Sequence, residues 1–192
     1  MGERIYTGRF TTENTEEIVV FTIGMRINKY RKIHKWWPVF RAMPKMLKEL
    51  YEHQDELGFY SHEMSMGTRT IKLVQYWRSL DELLAYSKGD LHLEAWRKFN
   101  QKIGHTKDVG IFHETFVLNP GQYENIYGNM PIYGMAKALG HQKVEPKRRT
   151  ALKRLQQNKN RGDTPRFLIY LSFFTIRKNV IKRHKDGTCY GD

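Results

Sequence analysis

The order of regular segments between residues 18 and 118 constrains the fold of this chain more strongly than any other feature of the sequence. Four segments have the composition and alternation of β-strands: residues 18–27, 59–66, 69–77 and 109–118. Helical spacing of apolar residues separates them, at residues 33–57, 80–89 and 91–104. The order strand, helix, strand, strand, helix, strand predicts an α+β, ferredoxin-like βαββαβ fold.

Such a sheet carries helices on one face only. Its other face must be covered by a partner, or it leaves an exposed apolar patch. We therefore expect a homodimer with two facing sheets. Pro38 and Pro44 predict a broken or late-starting first helix, because an internal proline removes a hydrogen bond and costs about 3 kcal/mol. Ser79 and Glu82 have the spacing of a capping box.

Charge is unevenly distributed along the chain. Of the formal net charge of +13, residues 141–192 carry +10 and residues 1–140 only +3. We predict a flexible lead-in at 1–16, a folded domain at 17–140 and a basic C-terminal extension at 141–192. Nucleic-acid binding is not expected of the core. For the extension the sequence leaves three alternatives: contact with RNA, contact with an anionic membrane surface, or a disordered tail.

The remaining composition limits the class of protein. One cysteine, Cys189, allows no disulfide within the chain and fits a reducing, cytoplasmic location. The polar start does not read as a signal peptide. The longest apolar run, residues 167–176, is about half of the roughly 20 residues that a membrane-spanning helix needs. The sequence has no P-loop, dinucleotide, zinc or serine-hydrolase motif, so those chemistries are not expected.

Two histidines are the leading candidates for catalysis. His113 lies mid-strand, where alternation places it and Glu114 on opposite faces of the sheet. His92 begins the second helical region, one turn before Trp96. A neutral imidazole serves as a general base or as a haem-iron ligand near pH 7. Each histidine also has a structural interpretation. His113 would be a buried, hydrogen-bonded residue, and His92 a residue that begins a helix.

The segment 119–140 is rich in Tyr, Glu and Asn and predicts either a lid over a cavity mouth or a clasp between protomers. Within it, Tyr123 is a candidate to stabilise an anion and Tyr127 to contact a substrate. Other candidate substrate contacts, each also open to a core or rim position, are Trp37, Met25, Tyr76 and Trp96. No protein-bound metal ion is expected.

Four runs of sequence together resemble one known family: FTIGMRINKYRKIHKWWPVF, VQYWRSLDELLAYS, HLEAWRKFN and VGIFHETFVLNPGQYENIYGNMPIYGMAKA. The family comprises dimeric α+β-barrel proteins near the antibiotic-biosynthesis-monooxygenase superfamily. It is named after a fungal antibiotic-pathway monooxygenase, and its bacterial members have no assigned function. The resemblance covers about residues 10–140 and implies a cavity between sheet and helices.

The resemblance implies a small monooxygenase acting on a planar, apolar organic substrate, without a cofactor. His113 would be the base, with His92 or Tyr123 stabilising the anion. A haem protein of the same fold is one alternative, peroxidase-like, haem-degrading or aldoxime-dehydratase-like, with iron on His113 or His92. A non-catalytic module that binds a hydrophobic ligand or responds to stress is another.

Overall fold

A computed structural model describes residues 3–156. The strands are β1 Tyr6–Thr11, β2 Ile18–Ile27, β3 Phe59–Met66, β4 Thr70–Trp77, β5 Val109–Leu118, β6 Tyr127–Met130 and β7 Gln142–Lys143. The helices are α1 Ile33–Glu52, α2 Gln54–Leu57, α3 Leu80–Ser87, α4 Asp90–Lys102, α5 Met135–Leu139 and α6 Ala151–Gln156, with a 3-10 turn at Pro146–Arg148. No helix in this part of the chain is long and apolar enough to cross a membrane.

The main sheet is antiparallel with strand order β3-β4-β2-β5. This order, with α1 between β2 and β3 and with α3 and α4 between β4 and β5, confirms the predicted ferredoxin-like fold. Strands β3 and β4 form a hairpin between the two segments predicted as strands, and in its turn the Gly67 amide donates to the carbonyl oxygen of Thr70 at 2.8 Å. Alternation along the strands directs one face of the sheet to the helices and the other away from them.

The helices cover their face of the sheet through two apolar clusters. The first cluster comprises Val19, Leu50, Phe59, Trp77 and Leu83. The second comprises Met25, Ile27, Ile103 and Val109, with Phe40 and Phe99 packed against it. Trp77 and Val19 are completely buried, so the centre of the sheet and the adjoining helices form the core.

The predicted break in the first helix is wrong. Helix α1 runs without interruption from Ile33 to Glu52 and contains both Pro38 and Pro44. Its apolar face contributes Leu50 to the first cluster and Phe40 to the border of the second. This packing offsets the hydrogen bonds that the prolines remove. At α3 the predicted capping box is confirmed, because the Ser79 hydroxyl accepts from the Glu82 amide at 3.3 Å and donates to its carboxylate at 2.8 Å.

The lead-in predicted to be flexible contains a strand. Strand β1 lies between β6 and β7 in a second, three-stranded antiparallel sheet. Phe10 pairs with Tyr127, and its ring stacks on His141 at 4.3 Å between centroids. The partners of β1 lie more than a hundred residues away in sequence, so local patterning around residues 6–11 did not reveal the pairing.

The segment 119–140 packs on the face of the main sheet that points away from the helices. Tyr123 joins Ile18 and Tyr76 in a third cluster, bordered by Met135 and Leu139. The segment therefore does not close the helix side of the sheet as a lid. The homodimer predicted from the sequence stays a prediction. On the face away from the helices, the half-exposed Phe116 is the type of side chain that a partner would cover.

The folded part of the chain continues past the predicted boundary at residue 140. Strand β7 pairs with β1, and α6 brings Arg154 to Glu124, with 2.7 Å between Nε and Oε2. The Arg154 side chain is only 8 % exposed and also donates to the carbonyl oxygens of Arg148 and Arg149. The remainder of the predicted extension, residues 157–192, lies outside the described residues.

Replacing Arg154 with methionine tests this boundary. We expect the free energy of unfolding to fall by about 3 kcal/mol, because Glu124 loses the partner of a largely buried ion pair. Denaturant unfolding measures the change. The matched control is Lys153→Met on the exposed side of α6, which should stay within about 0.5 kcal/mol of wild type. Equal effects for the two variants would place α6 outside the cooperative fold.

Candidate functional site

A cavity of about 250 Å³ lies among the helices that cover the sheet. Four helical regions meet around it: the last turns of α1, the short α2, helix α3 and the first turn of α4. Its lining residues are Glu49, Glu56, Leu57, Glu82, Ala85, Tyr86, Gly89, Leu91 and His92. We call it the interhelical cavity. The resemblance implied a cavity between sheet and helices, whereas this lining comes from the helices and their connections alone.

His92 is the histidine among the residues that line this cavity. It lies in the first turn of α4, which begins after Gly89, and its ring centroid is 6.2 Å from that of Tyr86. The Nδ1 atom is buried from solvent and has no hydrogen-bond partner within residues 3–156. Buried polar atoms are rarely left unpaired, so the unpaired Nδ1 of a ring that lines a cavity marks His92 as a candidate for a functional role.

Tyr86 and Glu49 form the second polar element of the cavity. The Tyr86 hydroxyl donates to Oε2 of Glu49 at 3.0 Å. Burial raises the pKa of Tyr86, and the hydrogen bond to the Glu49 carboxylate raises it further. The phenol is therefore a neutral donor at physiological pH. Sequence reasoning missed this pair, because its members lie 37 positions apart and neither belongs to a catalytic motif.

The electrostatic character of the lining is acidic. It contains Glu49, Glu56 and Glu82, and its residues include neither lysine nor arginine. Burial opposes ionisation of Glu82, but hydrogen bonds from Arg78 and Ser79 outweigh it and hold the pKa of Glu82 below its ordinary value. Such a lining favours a neutral or cationic ligand over an anion.

His113 lies apart from this cavity. It pairs with Ile23 in the sheet, faces the helix side and lies beside Phe21, with 5.7 Å between ring centroids. Strand β5 is an edge strand, and the His113 side chain is exposed. Phe21 and Tyr86 both pack against the first cluster, so His113 and His92 border the same part of the core from different sides.

The three tyrosines singled out in the sequence lie on the opposite face of the sheet. Tyr123 is buried and donates to the carbonyl oxygen of Glu16 at 2.9 Å, and burial raises its pKa to about 12. Tyr76 is buried in the same cluster, and burial likewise raises its pKa to about 12. Burial also raises the pKa of Tyr127. The sheet separates Tyr123 from His113, so the two do not form one catalytic pair.

The other predicted substrate contacts do not line the interhelical cavity. Met25 belongs to the second cluster in the core. Trp37 is exposed on α1 beside Phe40, with 5.5 Å between ring centroids. Trp96 is exposed on α4 and stacks on Phe99 at 5.8 Å. Among the residues that the sequence suggested for a site, His92 is the one that lines the cavity.

The chain is similar to known proteins over the region that builds the main sheet. The model of the Monooxygenase af470-like family matches residues 18–135, more than half of the chain. Monooxygenase af470 of Aspergillus fumigatus is 28% identical over 121 residues. That match covers 58% of this chain and 42% of the fungal protein, so the chain matches less than half of this relative's length.

Two solved structures of aldoxime dehydratase resemble the chain in fold. One is a complex with butyraldoxime, and both have a TM-score of 0.57 and cover 73% of this chain. Sequence identities are 16% and 15%, and the alignments cover 43% and 44% of the dehydratase chains. At this identity the likeness concerns the fold alone.

Proposed function

The chain belongs to the Monooxygenase af470-like family, and we propose that it is a monooxygenase that oxidises a small, planar, uncharged organic substrate in the interhelical cavity without a cofactor. The observation that carries this proposal is the imidazole of His92, which lines that cavity and whose Nδ1 has no hydrogen-bond partner among the described residues. An imidazole that lines a cavity is placed to remove a proton from a bound substrate.

The reaction begins with transfer of an acidic C–H or O–H proton from the substrate to the imidazole of His92. The substrate anion gives one electron to O2, which yields superoxide and a substrate radical. Superoxide then bonds to the radical carbon of the substrate. If that carbon carried two hydrogens, one oxygen atom ends as a carbonyl and the other as water. The reaction therefore balances without an external reductant. Leu57, Ala85 and Leu91 supply the apolar part of the lining.

The acidic lining sets the charge of the substrate. The carboxylates of Glu49 and Glu56 repel an anion that enters the cavity but not a neutral ring, while the charge of Glu82 is paired with Arg78. The volume of about 250 Å³ lies just below the roughly 300–1,000 Å³ common for pockets of drug-sized ligands. Both properties support a small neutral aromatic substrate.

Haem, the alternative cofactor within this superfamily, does not fit the interhelical cavity. The two carboxylate groups of haem would face the glutamates of the lining, and Arg78, the arginine beside them, is already paired with Glu82. The cavity is also small for a macrocycle of four pyrrole rings. At His113 the imidazole is exposed on an edge strand. We therefore assign no step of the reaction to haem.

Oxygen uptake together with absorption spectroscopy tests the proposal. We expect the purified full chain to consume O2 when it is given neutral phenols or anthrones of one to three rings. Mass spectrometry should find one atom of isotopically labelled O2 in the product. A Soret band at one haem per chain that shifts in His92→Ala or His113→Ala would replace this proposal by the haem alternative. If these phenols and anthrones raise the melting temperature but none of them is oxidised with O2 uptake, the result would favour a binding module instead.

A further inference from the structure

A continuous series of aromatic rings connects the interhelical cavity with the protein surface. Tyr86, in the cavity wall, lies 5.5 Å from Trp77 between ring centroids. Trp77 lies 5.3 Å from Phe59, and Phe59 lies 5.3 Å from Tyr51. The two inner members, Trp77 and Phe59, are almost completely buried, whereas Tyr51 is 45% exposed. The series therefore begins at the cavity and ends where solvent reaches it.

The outer end of this series is a tyrosine–histidine pair. The Tyr51 hydroxyl and Nδ1 of His62 are 2.9 Å apart, and their rings lie 5.6 Å apart in an edge-to-face contact. Oxidation of a phenol requires the loss of its proton as well as an electron, so a hydrogen-bonded base makes that oxidation easier. Burial lowers the pKa of His62, with Lys137 adding to the effect and Glu63 opposing it. The ring is thus a neutral proton acceptor at pH 7.

The inner end has the same construction. The Tyr86 hydroxyl donates to Oε2 of Glu49 at 3.0 Å, so this phenol also has an acceptor for its proton. Trp77, between the two tyrosines, donates through Nε1 to Oε1 of Gln75 at 3.1 Å. An amide oxygen is a poor base, so an oxidised Trp77 would keep its charge and pass the oxidation onward.

We propose that Tyr86, Trp77 and Tyr51 form an electron relay that reduces stray radicals in the interhelical cavity and moves the oxidation to the surface pair Tyr51–His62. The relay rests on the proposed oxygenase function for its oxidant, an organic peroxyl radical that forms when O2 adds to a substrate radical. Its function is protective, since a radical that stays in the cavity attacks the cavity wall.

The electrons and protons balance in three steps. The peroxyl radical takes an electron from Tyr86, whose proton moves to Glu49, and the peroxyl anion takes a proton from water to become a hydroperoxide. Trp77 then returns an electron to Tyr86, which regains its proton from Glu49. Finally Tyr51 reduces Trp77 and gives its proton to Nδ1 of His62. Hydroperoxide, hydroxide, an imidazolium and a surface tyrosyl radical remain.

Laser photoionisation of tryptophan tests the relay without substrate or O2, so it is independent of the oxygenase proposal. In the intact chain we expect the tryptophan radical to decay while a tyrosyl radical rises. Replacing Tyr51 with phenylalanine should remove at least half of the tyrosyl yield. The matched control is Tyr30→Phe, because Tyr30 is 44% exposed and lies outside this series of rings, against an arginine. His62→Gln should slow the rise of the tyrosyl signal.

Equal tyrosyl yields in Tyr51→Phe, Tyr30→Phe and wild type would overturn the relay. Spin trapping followed by peptide mapping gives a second readout, and we expect the adduct on the peptide that carries Tyr51. Melting temperatures of the variants check folding, which the exposed position of Tyr51 should preserve. A chain with an intact relay and no O2 uptake would overturn the oxygenase proposal alone. O2 uptake in a chain without radical transfer to Tyr51 would overturn the relay alone.

Discussion

Replacing His92 with alanine should lower the rate of O2 consumption by about 10²- to 10⁴-fold, the range that a general base contributes. The physical reason is the loss of the imidazole that lines the cavity, whose Nδ1 has no hydrogen-bond partner among the described residues. The melting temperature should change little, because His92 is only partly buried and makes no hydrogen bond through Nδ1 that the variant could lose. Oxygen-electrode rates with the best phenol or anthrone measure the effect.

Alanine variants of two further histidines test whether the loss of O2 consumption is specific to His92. His34 is exposed at the start of α1, so His34→Ala should leave the rate unchanged. His113 lies outside the lining of the interhelical cavity, so His113→Ala should retain most of the activity. A rate that collapses in His113→Ala and survives in His92→Ala would move the base to the sheet. His92→Gln, which keeps the side-chain volume, separates loss of the base from loss of packing.

The main sheet was predictable because its signals are local. Alternation over residues 109–118 indicates a strand whatever the tertiary context, and β5 has the predicted bounds. The capping box at Ser79 and Glu82 is likewise a contact over three positions. Strand β1 was not predictable in the same way, since its pairing energy comes from segments near residues 128 and 142.

The candidate site was only partly predictable for a related reason. Residue types pointed to His92 and His113, but a sequence does not display which side chains surround a cavity. Glu49 and Tyr86 meet only because α1 and α3 pack on the same side of the sheet. Tyr123 was assigned to the same site as His113, yet the sheet stands between them. Residue type suggests chemistry, whereas tertiary packing decides which groups act together.

Trp77 should show the largest effect on stability. We expect Trp77→Ala to lower the free energy of unfolding by about 3–5 kcal/mol, the usual cost of removing a fully buried tryptophan. Its ring contacts both Phe59 and Tyr86, so the cavity left behind lies at the centre of the first cluster. Denaturant unfolding measures the loss. The control is Trp96→Ala on α4, where a half-exposed ring should cost no more than about 1 kcal/mol.

Trp77→Phe separates the ring from its hydrogen bond. Phenylalanine keeps an aromatic ring beside Phe59 but cannot donate to Gln75, which is 4% exposed and would keep an unpaired acceptor. That change should cost about 1–3 kcal/mol. Tyr86 packs against the indole ring of Trp77 and also lines the interhelical cavity. Trp77→Phe should therefore disturb the cavity wall and reduce activity at temperatures where the protein is still folded. A stability loss below about 1 kcal/mol for Trp77→Ala would mean that the first cluster is not the core. The cavity wall would then lack the rigid support that a catalytic site needs.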